Sequence, residues 1–159
     1  MIYKIDPATN RVTMKIPIDP SGAVGIPMRS GIAAGEGAVW AISNNNELRQ
    51  YSAGSGAQEA VISLPSRSSG VIVAFGSVWV TGTGNDELYR VDPTTQIAAT
   101  IELRSDPRSL AEGEGSVWVF NEGDGTVQRI DGKRGNLVAT IQTGVHGKGA
   151  IDVAEDSSG

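Results

Sequence analysis

The segment Gly113-Glu114-Gly115-Ser116-Val117-Trp118-Val119 is the key to the architecture of this chain, because related copies of it occur twice more. The other copies are Gly35-Glu36-Gly37-Ala38-Val39-Trp40 and Phe75-Gly76-Ser77-Val78-Trp79-Val80. The tryptophans of successive copies are 39 residues apart. Such a constant spacing indicates an internal structural repeat.

Two further phrases complete each repeat. In the middle repeat they are Leu88-Tyr89-Arg90-Val91-Asp92-Pro93 and Ala98-Ala99-Thr100-Ile101-Glu102-Leu103. The matching phrases are Leu48-Arg49-Gln50-Tyr51-Ser52 and Ala60-Val61-Ile62-Ser63-Leu64-Pro65 in the first repeat, and Val127-Gln128-Arg129-Ile130-Asp131 and Leu137-Val138-Ala139-Thr140-Ile141 in the last. Three matched phrases per period indicate one architecture along nearly the whole chain.

The phrases are typical of β-strands. Each is short, rich in Val, Ile, Thr and aromatic residues, and bounded by Gly, Asn, Asp or Pro. A period near forty residues that contains four short strands matches the blade of a β-propeller, whose sheet is buried on both faces by its neighbours. The predicted fold class is therefore all-β, with propeller blades of four antiparallel strands.

Within a blade we expect the strands to run from the inside outward in chain order. The innermost strands are predicted at 31–35, 70–74 and 109–113, and the tryptophan strands come second. Third strands end at Asp6-Pro7, Asp92-Pro93 and Asp131-Gly132, where an aspartate can accept hydrogen bonds from its own turn. Fourth strands form the outer rim.

The predicted blades are incomplete at both ends of the sequence. One propeller segment over 1–159 comprises a half blade at 1–20, blades at 31–66, 70–105 and 108–143, and the start of another at 149–159. The two partial blades lack a second strand between them, so we do not expect a closed four-bladed ring. Open ends leave an apolar face and unpaired strand edges in water, which favours a homo-oligomer or a place in a larger propeller.

Composition narrows the classes of partner. The 159 residues carry a net charge of −5, which disfavours nucleic acids and anionic membranes as partners. We expect no membrane-spanning helix, because no apolar stretch approaches the roughly 18 residues that one requires. We expect no signal peptide, because residues 1–6 lack a basic region followed by an apolar one. Since the chain has no cysteine, disulfides and thiolate metal sites are excluded, and cysteine usage does not indicate a compartment.

The repeat resembles a known family of propellers. The phrases Gly-Glu-Gly-Ser-Val-Trp-Val at 113–119, Asn-Glu-Gly-Asp-Gly-Thr-Val-Gln-Arg-Ile-Asp at 121–131 and Val-Asp-Pro-Thr-Thr-Gln-Ile-Ala-Ala-Thr-Ile at 91–101 are similar to bacterial YVTN-type and streptogramin-lyase-like repeats. The resemblance implies a bacterial, extracytoplasmic protein. The group that the repeat resembles includes virginiamycin B lyase, a magnesium-dependent seven-bladed enzyme.

The lyase pattern is only partly present. In the lyase, histidines in the loops that enter inner strands and glutamates near the tryptophan strands hold the metal and act as base. The lone His146 lies in such a loop, but the positions three after each tryptophan hold Ser43, Gly82 and Asn121, and Glu122 comes one residue late. One histidine cannot both ligate a metal and serve as general base, so we do not expect lyase chemistry from this segment alone.

Cations recur in the loops that join an outer strand to the next inner strand. Propeller ligands usually bind where these loops converge at the channel mouth. The predicted ligand-binding residues there are Arg29, Arg67, Arg108, His146 and Lys148. Together they would suit an anionic or polar ligand. The simpler alternative is that they are solvated loop residues, because exposed arginine is ordinary.

Two glutamates occupy positions where the first two repeats have Ala34 and Val73. Glu112 and Glu155 could line the channel and bind a cation such as Mg²⁺ or Ca²⁺, although channel water alone can keep a glutamate charged. The segment 121–125 faintly resembles a calcium loop but lacks its alternating oxygens, so we interpret it as a turn.

The sequence predicts the fold more firmly than the activity. The favoured hypothesis is a binding scaffold for a small molecule or a protein at the channel-mouth loops. The alternative is a metal-dependent lyase or lactonase-like enzyme completed by missing blades or by a second subunit. A third interpretation is a purely structural product, such as a truncated reading frame.

Overall fold

The computed structural model describes residues 1–17, 31–43, 45–96, 98–145 and 147–154, except for the side chain of Ala98. All regular elements in these ranges are β-strands, and paired strands run antiparallel. This confirms the predicted all-β fold class. No helix in the described part of the chain is long and apolar enough to span a bilayer.

The strands form one two-stranded and three four-stranded sheets. Strands β1 (Ile2–Asp6) and β2 (Arg11–Ile16) make the hairpin at the start of the chain. The three larger sheets are β3 (Ile32–Gly35), β4 (Ala38–Ser43), β5 (Glu47–Ser52) and β6 (Gln58–Ser63); β7 (Ser68–Ala74), β8 (Ser77–Gly82), β9 (Glu87–Val91) and β10 (Ala98–Glu102); and β11 (Pro107–Gly113), β12 (Ser116–Asn121), β13 (Thr126–Asp131) and β14 (Leu137–Gln142).

The sheets are joined through their first strands. Within each four-stranded sheet the strands pair in chain order, and β7 contacts both β3 and β11. This is the inside-to-outside order predicted for propeller blades. We refer to the three larger sheets as the first, second and third blades.

The tryptophan strands fill the space between blades. Trp40 and Leu48 of the first blade belong to one apolar core with Val80 and Tyr89 of the second. In the next core Trp79 and Leu88 pack with Val117, Val119 and Ile130 of the third blade. Trp40 and Trp79 are completely buried, whereas Trp118, on the third blade, is partly exposed. Trp40 and Trp79 are therefore packing residues between blades.

An arginine covers each of the last two tryptophans. The Arg90 guanidinium lies 5.1 Å from the ring centroid of Trp79, and its Nε donates to Ser77 Oγ at 2.9 Å. In the same way, the Arg129 guanidinium lies 5.2 Å from the ring centroid of Trp118, and its Nε donates to Ser116 Oγ at 2.8 Å. The aliphatic stem and planar charge of arginine suit such an aromatic face.

Aspartates close the turns after the third strands, as predicted. Asp92 Oδ1 accepts hydrogen bonds from the amides of Thr94 at 2.7 Å and Thr95 at 2.9 Å. These bonds favour the ionised carboxylate, so the pKa of Asp92 falls to about 2, with the Thr95 amide as the largest cause. The pKa values of Asp6 and Asp131 are also lowered, mainly by the Thr9 hydroxyl and the Arg134 amide respectively.

Segments at both ends pack on the outer blades. The hairpin covers part of the first blade, where Ile16 meets Ala41 and Tyr51. Residues 147–154 contain no assigned strand. They nevertheless lie along β11 and make two contacts with it. The Ser109 hydroxyl donates to the Gly149 carbonyl at 3.1 Å, and Val153 packs against Gly113.

Replacing a central tryptophan should strongly destabilise the fold. We expect Trp79→Ala to lower the free energy of unfolding by about 3–5 kcal/mol, because it leaves a large cavity between two blades. The matched control Val61→Ala, at a side chain that is 45% exposed, should change it by less than about 1 kcal/mol. Urea unfolding followed by tryptophan fluorescence measures both. Equal losses in the two variants would contradict the packing role.

The turn aspartate should make stability depend on pH at the acidic end. The folded pKa of Asp92 is about 2, below its ordinary value of 3.8, so its contribution is complete above pH 4 and is lost as the pH falls toward 2. We expect Asp92→Ala to lower Tm at pH 7, and Asp92→Asn, which keeps an acceptor oxygen, to lower it less. Both differences from the wild type should shrink between pH 4 and pH 2. Differences that stay constant across this window would disprove the linkage.

Candidate functional site

Two kinds of connection between strands lie at one end of the blades. Because the strands alternate in direction, the loop after each fourth strand and the turn after each second strand lie at the same end. We call this end the mouth. In the described part of the chain it comprises 45–46, 64–67, 82–86, 103–106, 121–125 and 143–145.

A repeated backbone hydrogen bond holds the mouth together. The amide of Leu64 donates to the Asn46 carbonyl at 2.7 Å, and the amide of Leu103 donates to the Asp86 carbonyl at 2.9 Å. The third blade repeats this bond from Thr143 to Gly125 at 3.2 Å. The described part of each interblade loop is thereby tied at its start to the turn beside it.

Aspartates with left-handed backbones add a link between blades. Asp86 and Asp106 have φ values of 56° and 55°, a conformation that aspartate adopts more readily than most residues. The Asp86 carboxylate accepts a hydrogen bond from the Asp106 amide at 2.8 Å. A turn of the second blade thus positions the loop that begins the third.

Arg108 is the centre of a charge cluster at the mouth. Its Nε lies 2.9 Å from Asp106 Oδ1 and 3.7 Å from Glu122 Oε2, and its Nη2 donates to Asp106 Oδ2 at 3.1 Å. Glu122 Oε1 in turn accepts a hydrogen bond from the Gly149 amide at 3.3 Å. Two carboxylates therefore surround one guanidinium, so Arg108 offers less positive charge to a ligand than the sequence suggests.

The other predicted mouth cations differ in how they are placed. The Arg67 side chain is exposed, while its carbonyl accepts hydrogen bonds from the Thr83 hydroxyl at 3.0 Å and the Gly84 amide at 3.2 Å. Lys148 is also exposed. Arg29 and His146 lie outside the described residues. Ligand binding by these residues remains a prediction.

The predicted metal-binding carboxylates are only partly described. Glu112 is exposed on β11, and Glu155 lies outside the described residues. Among the residues that the structure describes, no three His, Asp or Glu side chains are grouped as metal ligands. A channel site for Mg²⁺ or Ca²⁺ remains a prediction.

Sequence reasoning missed a buried polar network beneath the mouth. Asn121 Nδ2 donates to Thr126 Oγ1 and to Gln128 Oε1, both at 3.0 Å, and Gln128 Oε1 accepts from the Arg104 amide at 2.7 Å. Asn121 Oδ1 is buried without a hydrogen-bond partner. The signal in the sequence that could have revealed this network is Gln128, a polar residue at a buried position of β13. By accepting the Arg104 amide, Gln128 supports the loop that carries Asp106.

The fold of the chain is similar to solved β-propeller structures. The hydrazine synthase of Kuenenia stuttgartiensis matches with a TM-score of 0.69 at 14% identity, over 84% of this chain and 42% of that chain. The computationally designed Ika4 protein matches with a TM-score of 0.68 at 15% identity, over 79% of each chain. BamB from Moraxella catarrhalis matches with a TM-score of 0.60 at 17% identity, over 70% of this chain and 36% of that chain.

These likenesses show the fold alone: the chain is a β-propeller segment. It spans less than half the length of the two natural proteins above. No family model and no curated protein matches the sequence. The resemblance to YVTN-type and streptogramin-lyase repeats therefore remains a prediction.

Close backbone packing beneath the mouth predicts an effect for a small substitution. A Cβ at Gly70 would overlap the Arg108 carbonyl oxygen, which accepts hydrogen bonds from Ser69 and Thr81. We expect Gly70→Ala to lower the free energy of unfolding by about 1–3 kcal/mol, because the two inner strands must move apart. The control Gly54→Ala, whose new Cβ would have only Ser52 Oγ nearby at 3.8 Å, should change it by less than about 0.5 kcal/mol. Chemical denaturation of both variants tests this, and a neutral Gly70→Ala would contradict it.

Proposed function

We propose that this chain is a binding scaffold whose mouth engages a small molecule or a protein. The observation that carries the proposal is the hydrogen bonding of the mouth, in which repeated backbone bonds join the interblade loops to their neighbouring turns. A preorganised surface loses little conformational entropy when a ligand binds. Propellers commonly present ligand-binding loops at this end, so the fold is consistent with the same use here.

The charges of the mouth favour a polar ligand. Arg67 projects an exposed guanidinium at the start of the second blade, suited to a carboxylate or phosphate oxygen. At the start of the third blade, Asp106 and Glu122 flank Arg108 and add acceptors for ligand hydrogen-bond donors. A ligand that combines an anionic group with hydrogen-bond donors would meet both features. Hydroxylated carboxylic acids and peptide segments have this chemistry.

Titration with citrate, followed by amide chemical shifts in nuclear magnetic resonance, tests the proposed site. Citrate combines carboxylates with a hydroxyl donor. We expect saturable shifts at 64–70 and 103–108. Arg67→Ala should weaken binding at least about tenfold, because a charge-assisted hydrogen bond contributes about 1.5–3 kcal/mol.

The control for this experiment is Arg11→Ala. Arg11 is an exposed arginine at the first position of β2, at the opposite end of the strands from the mouth, and its loss should leave binding unchanged. Shifts that are absent up to about 10 mM citrate, a concentration that corresponds to very weak binding, would count against an anion subsite at the mouth. Equal effects of the two variants would show non-specific attraction to positive charge.

A further inference from the structure

The hairpin exposes an apolar surface on the side that faces away from the first blade. Tyr3 and Ile5 of β1 are 54% and 59% exposed, and Val12 of β2 is 49% exposed. Ile5 and Val12 are cross-strand partners, and Tyr3 lies two residues from Ile5, so all three share one face. We call them the hairpin surface.

The third blade has an apolar surface at the opposite end of the molecule. Val127 pairs with both Phe120 and Ile141, and Trp118 lies two residues from Phe120, so these side chains share one face. Trp118 is partly exposed and Ile141 is 43% exposed, while Val127 between them is 9% exposed. Phe120 is covered by the segment around Gly149. We call Trp118, Val127 and Ile141 the third-blade surface.

The equivalent positions of the other repeats show which kind of surface packs against each of these two surfaces. In the repeat, Tyr3 and Ile5 correspond to Tyr89 and Val91 of the second blade. Both of those residues are completely buried, and they pack in one core with side chains of the first blade.

The first-blade side of that core corresponds to the third-blade surface. Trp118, Val127 and Ile141 match Trp40, Leu48 and Ile62, which are 0%, 0% and 8% exposed. The interface between the first and second blades is therefore a template for an interface between the third-blade surface and the hairpin surface.

We infer that a second copy of this chain places its hairpin surface on the third-blade surface of the first, in a head-to-tail contact. The two surfaces lie on opposite ends of the described structure, and the molecule already forms the equivalent interface internally. Such a heterologous contact generates a ring if the rotation between copies closes, and an open filament if it does not. It would convert exposed Tyr3, Ile5 and Ile141 into interblade core residues.

A cavity beside the hairpin supports the same arrangement. It has a volume of about 420 Å³ and is lined mostly by apolar side chains, including Ile2, Ile32 and Val39. Ile32 is 52% exposed, whereas its repeat counterpart Val71 is 7% exposed because β7 lies against β3. In a head-to-tail pair, the partner's segment 147–154 would lie along β3, as it lies along β11 in its own chain.

The experiment measures mass by sedimentation equilibrium of the full chain and of two single variants. Ile5→Arg places a charge on the hairpin surface, and Ile141→Arg places one on the third-blade surface. We expect the wild type to have the mass of two or more copies, and each variant to associate at least about 30-fold more weakly, as for the central residues of other interfaces. Val61→Arg, on an exposed strand outside both surfaces, is the matched control and should associate like the wild type.

A mixture of the two variants makes the test specific for head-to-tail contact. The Ile5→Arg copy keeps an intact third-blade surface, and the Ile141→Arg copy keeps an intact hairpin surface, so an equimolar mixture should recover a complex of one copy of each. This recovery also shows that both variants are folded. A wild type that is monomeric at every concentration would overturn the inference. A complex that survives both substitutions would overturn it too. So would a mixture that stays monomeric although both variants have native circular dichroism and neither associates alone.

Discussion

The structure depends on the burial of each sheet between two neighbours. All six residues of β8 are buried, which requires apolar contacts on both faces of the second blade. Trp79 packs toward the third blade, and Val78 and Val80 pack toward the first. No blade provides this environment alone. The stability of one repeat is therefore a property of its neighbours, as expected for a repeat protein whose energetics are dominated by nearest-neighbour interfaces.

The same packing positions the mouth. Because β7 lies against β11, the loops that precede these two strands are held beside each other, and hydrogen bonds between loops and turns complete the arrangement. Asp86 fixes the amide of Asp106, and Asp106 orients Arg108. Binding groups supported by rigid elements are better preorganised than groups on mobile loops. The mouth is thus a consequence of blade packing.

Repetition also explains the two exposed surfaces. An interface that is buried between the first and second blades has two sides, and each outer unit displays one of them. The partial exposure of Trp118, beside the complete burial of Trp40 and Trp79, is the clearest sign of this. Stability within the chain and association between chains would then rest on one kind of contact, the apolar face of one blade against the next.

The repeat period, the order of strands within a blade and the turn aspartates could all be predicted from the sequence, because short apolar runs and hydrogen bonds within a turn are local properties. The folded structure was needed to find the pairing of Arg108 with both Asp106 and Glu122, since Glu122 lies 14 positions further along the chain and meets Arg108 across β11 and β12. It also decided which copy of the tryptophan is exposed. Three matching sequence phrases have different surroundings, because burial depends on the presence of a neighbouring blade and not on the residue itself.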